Sequence, residues 1–361
     1  MRIKISMVIV FLFALSGCGT ANTLITPTLS QDSPGLCKPM LHVGLPIENM
    51  LENTHIIYVG KNYIKDNSGN WTSLNQVWEV SVKDGERKLV INEIPPSVIG
   101  LAFLEDAYQF ILISDDSIWL SNLDGVRLKE YDNSENFIND FPPYSPIWNL
   151  LSNVGQSPQV SLLQDGQLPS PDGEKIAIWK KGNSDLIIFD KLTGQNNPIM
   201  KTGTDTQILG NWSPDGKFFA YSFRDDTTSQ AQIFIVDADG QNLTPLTTLL
   251  DNAEVERPHW SPDGKKLAFV RHGILTSYVD VLDVAYRENK STEIYPYQGH
   301  SVMDQGELVW SPDSNWIAIL MQEPGGVNRV RYDIHALNVS TREVYCVTQD
   351  ESVEEIMMDW R

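Results

Sequence analysis

The sequence predicts an all-β protein, and three observations support this. A turn sequence led by tryptophan recurs through the second half of the chain, and a short strand-like run follows each copy. A second run, in which apolar and polar residues alternate, follows the first. Alternation with a period of two, bounded by turn residues, is typical of β-strands.

The recurring turn reads Trp-Ser-Pro-Asp-Gly, with a weaker copy at Pro169–Gly173 and a last tryptophan near the C-terminus. The residues that define it are Trp212, Pro214, Asp215 and Gly216; Trp260, Pro262, Asp263 and Gly264; Trp310, Pro312 and Asp313; and Trp360. Proline presets the first bend, aspartate can accept bonds from nearby amides, and glycine tolerates a positive φ. The repeated serine is therefore predicted to stabilise a turn rather than to act as a nucleophile.

The spacing of these turns predicts the architecture. Positions 169, 212, 260 and 310 are 43, 48 and 50 residues apart, and a further 50 residues reaches Trp360. Four short strands in a repeat of this length are typical of one blade of a β-propeller. A degenerate copy lies upstream, from Val98 to Gly125.

The two ends of the chain complement each other. Strand-like runs at 55–59, 76–82 and 87–91 predict the second, third and fourth strands of a blade that lacks a first strand, and 354–360 supplies one. We therefore predict a six-bladed β-propeller closed by pairing of the C-terminal strand with the N-terminal blade, which removes exposed sheet edges. Seven blades remain the alternative, because the segment 131–165, interpreted as a long loop, has room for extra strands.

The turns resemble the repeats of the TolB-like propeller family, over about residues 169–360. The resemblance implies that each turn joins the innermost strand of a blade to the next strand. It also implies that loops before the innermost strands surround one mouth of a central channel. The candidate residues for a partner at that mouth are Gln207, Arg257, Glu307, Glu355, His300 and Asp304.

The N-terminus predicts an exported lipoprotein. Residues 1–17 have the basic start and short apolar core of a signal peptide. The sequence Leu15-Ser16-Gly17-Cys18 resembles a lipobox, which implies lipidation of Cys18 and anchoring to the cell membrane or the outer membrane. Residues 18–36 predict a flexible tether and 37–361 the propeller. A secretory peptide with a chance cysteine is the alternative.

Cys37 and Cys346 are the other two cysteines. Ring closure would bring Cys37, before the first blade, near Cys346 in the last blade, and an exported protein can form disulfides. Two unrelated buried thiols are equally compatible with the sequence.

Composition and motifs restrict the function. Lys and Arg number 27 against 47 Asp and Glu, a formal charge of −20 that disfavours nucleic acid as a partner. The sequence shows no motif of a hydrolase, phosphate-binding loop or zinc protease, so no catalytic residue, metal or cofactor is predicted. The turns at 65–70 and 237–240 contain side-chain oxygens that could bind calcium. Turns favour the same residue types without any metal, so calcium is not predicted as a cofactor.

These observations favour a binding or scaffold protein of the cell envelope with a protein or peptide partner, expected to be a monomer. The alternative is a propeller enzyme or a carbohydrate-binding component that uses the channel, because a fold does not determine a function.

Overall fold

A computed structural model of the chain describes its strands and most of the turns between them. The described residues are 38–39, 54–65, 71–82, 85–104, 108–114, 117–131, 137, 140–141, 167–179, 185–201, 209–225, 230–247, 250–251, 254–255, 258–272, 277–284, 291–294, 308–323, 331–348 and 353–360. They form β-sheets whose main strands are antiparallel.

The first and second sheets have four strands each. The first sheet, in spatial order, contains β27 (Val353–Trp360), β2 (His55–Lys65), β3 (Trp71–Ser81) and β4 (Arg87–Ile94). The second sheet contains β5 (Val98–Leu104), β6 (Gln109–Ser114), β7 (Ile118–Asn122) and β8 (Arg127–Tyr131).

The third and fourth sheets have the same pattern. The third sheet contains β9 (Gln167–Pro169), β10 (Lys175–Trp179), β11 (Asp185–Asp190) and β12 (Asn196–Lys201). The fourth sheet contains β13 (Leu209–Trp212), β14 (Phe218–Asp225), β15 (Gln230–Asp237) and β16 (Thr244–Pro245), and β17 (Leu250–Asp251) also pairs with β15.

In the fifth sheet two short strands replace a single first strand. Here β18 (Glu254–Val255) and β19 (His259–Trp260) both pair with β20 (Lys266–His272), and β21 (Ser277–Asp283) and β22 (Ser291–Ile294) follow. The sixth sheet contains β23 (Leu308–Trp310), β24 (Trp316–Glu323), β25 (Arg331–Asn338) and β26 (Val344–Cys346). A short strand from the N-terminal part of the chain, β1 (Lys38–Pro39), pairs with β26 in parallel.

Apolar layers join neighbouring sheets. The layers between the third and fourth, fourth and fifth, fifth and sixth, and sixth and first sheets contain Trp212, Trp260, Trp310 and Trp360 respectively. A fifth layer joins the first and second sheets through Val59 and Phe103. The turn tryptophans are thus core residues between sheets, and burying a large apolar side chain contributes about 1.5–3 kcal/mol.

Three of the indoles also form hydrogen bonds with the preceding sheet. The indole N–H of Trp212 donates to the carbonyl of Leu168 at 2.8 Å, that of Trp260 to Asn211 at 3.1 Å, and that of Trp310 to His259 at 3.0 Å. Each acceptor is the residue just before the Trp position of the previous repeat. Trp360 differs, because its buried Nε1 has no hydrogen-bond partner among the described residues.

The Ser-Pro-Asp-Gly segments form tight turns. In the second copy, Gly216 N–H donates to the Ser213 carbonyl at 2.8 Å and Gly216 has φ +69°. In the last copy serine replaces glycine, and Ser314 keeps the left-handed conformation with φ +61°. Its hydroxyl accepts a hydrogen bond from Asp263 N–H of the neighbouring turn at 3.1 Å, which compensates for the strain.

The C-terminal strand β27 pairs with β2 along most of its length. Trp360 lies opposite Ile56 and Met357 lies opposite Val59. The register then shifts by one residue, so that Glu355 lies opposite Gly60. This β-bulge leaves Ile356 as the extra residue and changes the direction of the side chains that precede it.

The start of the 131–165 segment packs on the second sheet as far as the structure describes it. Phe137 is fully buried and its ring centroid lies 5.3 Å from that of Tyr131. The Tyr131 hydroxyl donates to Asp140 at 2.8 Å. The remainder, including the proline-rich stretch 142–146, lies outside the described residues.

We expect Trp260→Phe to lower the free energy of unfolding by about 1 kcal/mol more than Trp360→Phe. Both side chains are buried to a similar degree, 7% and 6% exposed, so each substitution loses a similar apolar area. Only Trp260 also loses an indole hydrogen bond. Urea unfolding of both variants measures the difference, and equal destabilisation would show that the indole–carbonyl bond contributes no stability.

Candidate functional site

The residues predicted to surround the mouth lie mostly outside the described part of the chain. These are Gln207, Arg257, Glu307, His300 and Asp304. Glu355 is the one member of the predicted set that the structure describes.

Glu355 is fully buried, which corrects the expectation that it borders an open mouth. Its side chain is 0% exposed, although it stands near the start of β27. The reason is that β27 pairs with β2 up to Val353, while the bulge turns Glu355 to the face of the sheet that carries Tyr58. That face packs against the sixth sheet, so Glu355 cannot contact a partner directly.

A second buried acid accompanies it. Asp333 of β25 is 1% exposed, and Thr348, just beyond β26, is 2% exposed. Burial raises the pKa of Glu355 well above its usual value, and the neighbouring Asp333 carboxyl raises it further. A backbone hydrogen bond and one from the Thr348 side chain act in the opposite direction and lower the pKa of Glu355. We call Glu355 and Asp333 the buried acid pair.

At its other end β27 contacts the second sheet through a polar group. The Asp359 carboxylate accepts a hydrogen bond from Phe103 N–H at 2.7 Å and another from Trp360 N–H at 2.8 Å. Asp359 occupies the position that supplies a carbonyl acceptor in the later repeats. Phe103 occupies the position of the donating tryptophan, so a carboxylate and a backbone amide replace the indole–carbonyl bond here.

Cys346 is disulfide-bonded in the structure. Its partner lies outside the described residues. The short strand β1 begins one residue after Cys37 and places Pro39 opposite Cys346 in parallel pairing.

The repeated serines are engaged in their turns. Ser213 and Ser261 each donate their hydroxyl to the aspartate two residues later, at 2.7 Å. Each also accepts a backbone N–H from five residues later, at 3.0 and 2.9 Å. A hydroxyl held in this way, between an aspartate and a backbone amide of the same turn, closes the hairpin.

Histidines and turn carboxylates are likewise engaged locally. His335 Nδ1 lies 3.1 Å from the carbonyl of Asp333, and His272 Nδ1 lies 2.7 Å from the Ser277 hydroxyl. In the turn considered for calcium, Asp239 accepts the N–H of Gln241 at 3.1 Å. Within the described residues no group of three His, Cys, Asp or Glu side chains is arranged to hold a metal ion.

Sequence reasoning missed the buried acid pair, although a signal for it exists. Glu355 stands five residues before Trp360, and the residue five before Trp260 is Val255. The same position holds Gln207 and Gln305 in the other two copies, so a comparison of the repeats would have marked Glu355 as the one acid at a position that is otherwise uncharged.

Searches of known proteins give partial likenesses. No protein-family model matches the chain. The uncharacterized peptidase YuxL of Bacillus subtilis is 26% identical over 190 residues, covering 41% of this chain and 28% of that protein. The Tol-Pal system protein TolB of Alcanivorax borkumensis is 32% identical over 126 residues, covering 33% of this chain and 26% of that protein. The chain thus covers only about a quarter of either relative.

A solved structure extends the likeness to most of the chain. The crystal structure of TolB from Acinetobacter baumannii matches with a TM-score of 0.50 at 18% identity, covering 85% of this chain and 66% of that chain. At this identity the likeness shows the fold alone. With the four-stranded antiparallel sheets it supports a TolB-like, all-β fold consistent with a β-propeller. Among the described residues no helix has the length and apolarity to span a bilayer.

Proposed function

We propose that the chain is an exported lipoprotein whose propeller binds a protein or peptide partner in the cell envelope. The observation that carries this proposal is the TolB-like fold, which covers 85% of the chain, together with the local match to a Tol-Pal system protein. The Ser-Pro-Asp-Gly serines support binding over catalysis, because their hydroxyls are fixed in turns.

We propose six blades that form a closed ring. In support, the described strands group into six sheets, and apolar layers join them in the order third, fourth, fifth, sixth, first and second. The pairing of β27 with β2 gives the first sheet its innermost strand.

We place the partner at the end of the ring where the first strands begin. The Ser-Pro-Asp turns lie at the opposite end of those strands and contact one another there, since Asp263 N–H binds Ser314. The residues before the first strands, at 207, 257, 300, 304 and 307, are mostly acidic or polar with one arginine, Arg257. A rim of this charge favours a basic or polar partner through electrostatic complementarity.

Cys37 is the proposed partner of Cys346. The parallel pairing of β1 with β26 supports it, because Lys38 lies opposite Tyr345 and Pro39 opposite Cys346. Such a bond would link the segment that contains β1 covalently to the outer edge of the sixth sheet.

We expect a photo-crosslinking residue at position 257 to capture an envelope protein, and the same residue at position 215, in a turn at the opposite end, to capture none. Crosslinked products are identified by mass spectrometry after irradiation of cells. Capture by a 257 probe in a Glu307→Lys chain should fall about tenfold, corresponding to about 1.4 kcal/mol. Equal capture from both positions would contradict the proposed face, and turnover of a glycan or lactone would favour the enzyme alternative.

We expect Cys18→Ser to move the protein from the detergent phase to the aqueous phase in a phase-partition assay. Each buried CH₂ of an acyl chain contributes about 0.8 kcal/mol to membrane attachment, and the variant would lack the acylated thiol. Cys37→Ser is the matched control and should stay in the detergent phase. If Cys18→Ser also stays there, attachment does not depend on Cys18.

We expect Cys37→Ser and Cys346→Ser to destabilise the protein equally, by about 3–5 kcal/mol, because each removes the same long cross-link. Thermal unfolding without reductant measures the loss, and dithiothreitol should bring the wild-type protein to the level of the variants. A free thiol at Cys346 in Cys37→Ser, detected by alkylation, supports the pairing, whereas a disulfide that persists at Cys346 contradicts it.

A further inference from the structure

The junction between the second and third sheets lacks the large aromatic residue that joins the other sheets. Five sheets carry such a residue at or next to the end of the first strand, where it packs on the sheet before it. These residues are Phe103, Trp212, Trp260, Trp310 and Trp360. We call this place the anchor position. The third sheet has Pro169 there, the last residue of β9.

The second strand of the third sheet is less buried than its counterparts. The residues seven and nine places after the anchor position lie on the face directed at the preceding sheet. In the fourth, fifth and sixth sheets all of them are 0% exposed, and they are Phe219 and Tyr221, Leu267 and Phe269, and Ile317 and Ile319. In the third sheet they are Ile176 and Ile178, which are only half-buried, as are Phe189 and Ile187 opposite them. This face of the third sheet is therefore loosely covered.

The second sheet is nevertheless buried on the face that is turned away from the first sheet. Ile111 and Tyr131, on that face, are almost completely buried. Phe137, which follows the last strand of the sheet, belongs to the same cluster and is 0% exposed, and Phe141 packs against it. The two phenylalanine rings lie 5.0 Å apart. We call Phe137 and Phe141 the aromatic wedge.

Several contacts hold the aromatic wedge on the second sheet. Phe141 N–H donates to the Phe137 carbonyl at 2.8 Å, which forms one helical turn. The Tyr131 ring meets the Phe137 ring edge-on, and the Tyr131 hydroxyl donates to Asp140 within the turn at 2.8 Å. Lys129 also pairs with Asp140, but both side chains are partly exposed, so this ion pair contributes little. Ring packing is thus the main attachment.

The strand β27 is held by more kinds of contact than the wedge. It pairs with β2 through backbone hydrogen bonds, and Trp360 belongs to the apolar layer toward the sixth sheet. Asp359 accepts a hydrogen bond from Phe103 N–H of the second sheet. In the described part of the chain no strand pairing joins the second and third sheets. Separating those two sheets therefore breaks apolar packing but no backbone ladder there.

We propose that the aromatic wedge takes the place of the missing anchor residue, and that the ring opens between the second and third sheets rather than at β27. The proposal rests on the proposed ring of six blades, because in that ring the second and third sheets face each other. Local opening has the lowest free energy where the fewest buried apolar contacts and backbone hydrogen bonds are lost. The wedge then sets how readily this junction opens.

The test is thiol labelling of the full chain under native conditions, with one introduced cysteine at a time. Ile111→Cys reports on the wedge, Leu112→Cys on the layer between the first and second sheets, and Ile56→Cys on β27, since Ile56 lies opposite Trp360. All three positions are 0% exposed, so each reacts only when its own junction opens. Alkylation is measured on the peptide that carries the introduced cysteine, so the native cysteines do not contribute.

We expect labelling at position 111 to be at least about tenfold faster than at positions 112 and 56. Phe137→Ala should raise the rate at position 111 by about another tenfold or more, because the buried ring is lost. The rate at position 112 should stay within about twofold, because it reports on a different layer. Phe103→Ala is the matched control: it removes a buried ring from that other layer, and should raise the rate at 112 and not at 111.

A milder variant serves if Phe137→Ala does not fold. Tyr131→Phe keeps the ring and removes only the hydroxyl that donates to Asp140. It should raise labelling at position 111 severalfold, because the wedge loses one attachment to the second sheet, and leave position 112 unchanged.

Two results would overturn the proposal. Faster labelling at position 56 than at 111 would show that the ring opens at β27. An equal increase at all three positions in Phe137→Ala would show that the wedge contributes only to overall stability.

A further pair of cysteines tests the ring itself. In a closed ring, Ile178→Cys should label more slowly than Leu192→Cys, because Ile178 is half-buried whereas Leu192 is 75% exposed. Equal rates would contradict the closed ring, and with it this proposal, whereas the two results above leave the ring intact.

Discussion

The pairing of β27 with β2 is the contact on which the rest of the structure depends. Without it, the long strand β2 would present an unpaired edge, and the layer that contains Trp360 would lose one of its two sides. An exposed edge of that length is a template for association with other chains. Because the two strands lie near opposite ends of the sequence, this contact also carries a large chain-entropy cost.

The later sheets and the first sheet join their neighbours with different polar groups. Between the third and sixth sheets, each tryptophan combines a buried ring with an indole hydrogen bond to the sheet before it. The donor and acceptor come from neighbouring repeats, so this device depends on consecutive copies of one sequence. At β27 the series ends: Trp360 retains the buried ring, while Asp359 bonds a backbone amide of the second sheet instead.

The parts of the fold that could be predicted are those encoded within a single repeat. The turn chemistry of Pro214, Asp215 and Gly216 and the role of the tryptophans follow from short-range pattern, as does the missing first strand of the first sheet. The burial of Glu355 could not be predicted, because it depends on a bulge between strands about 300 residues apart in sequence. The neighbours of the predicted mouth residues could not be predicted either. The spacing of the repeats assigns these residues to the segments before the first strands, but it does not determine which side chains lie beside them.

Polar groups are concentrated at the junction for a physical reason. An apolar layer such as that around Trp260 excludes a slip by one residue, which would turn every side chain to the wrong face, whereas a slip by two residues keeps the same side chains inside. The strand β27 therefore has to select one of the registers on β2 that keep its apolar face inside. Asp359 accepts its hydrogen bond from Phe103 N–H only when β27 lies in the observed register. A directional bond of this kind adds a preference for one register to the preference that apolar packing gives.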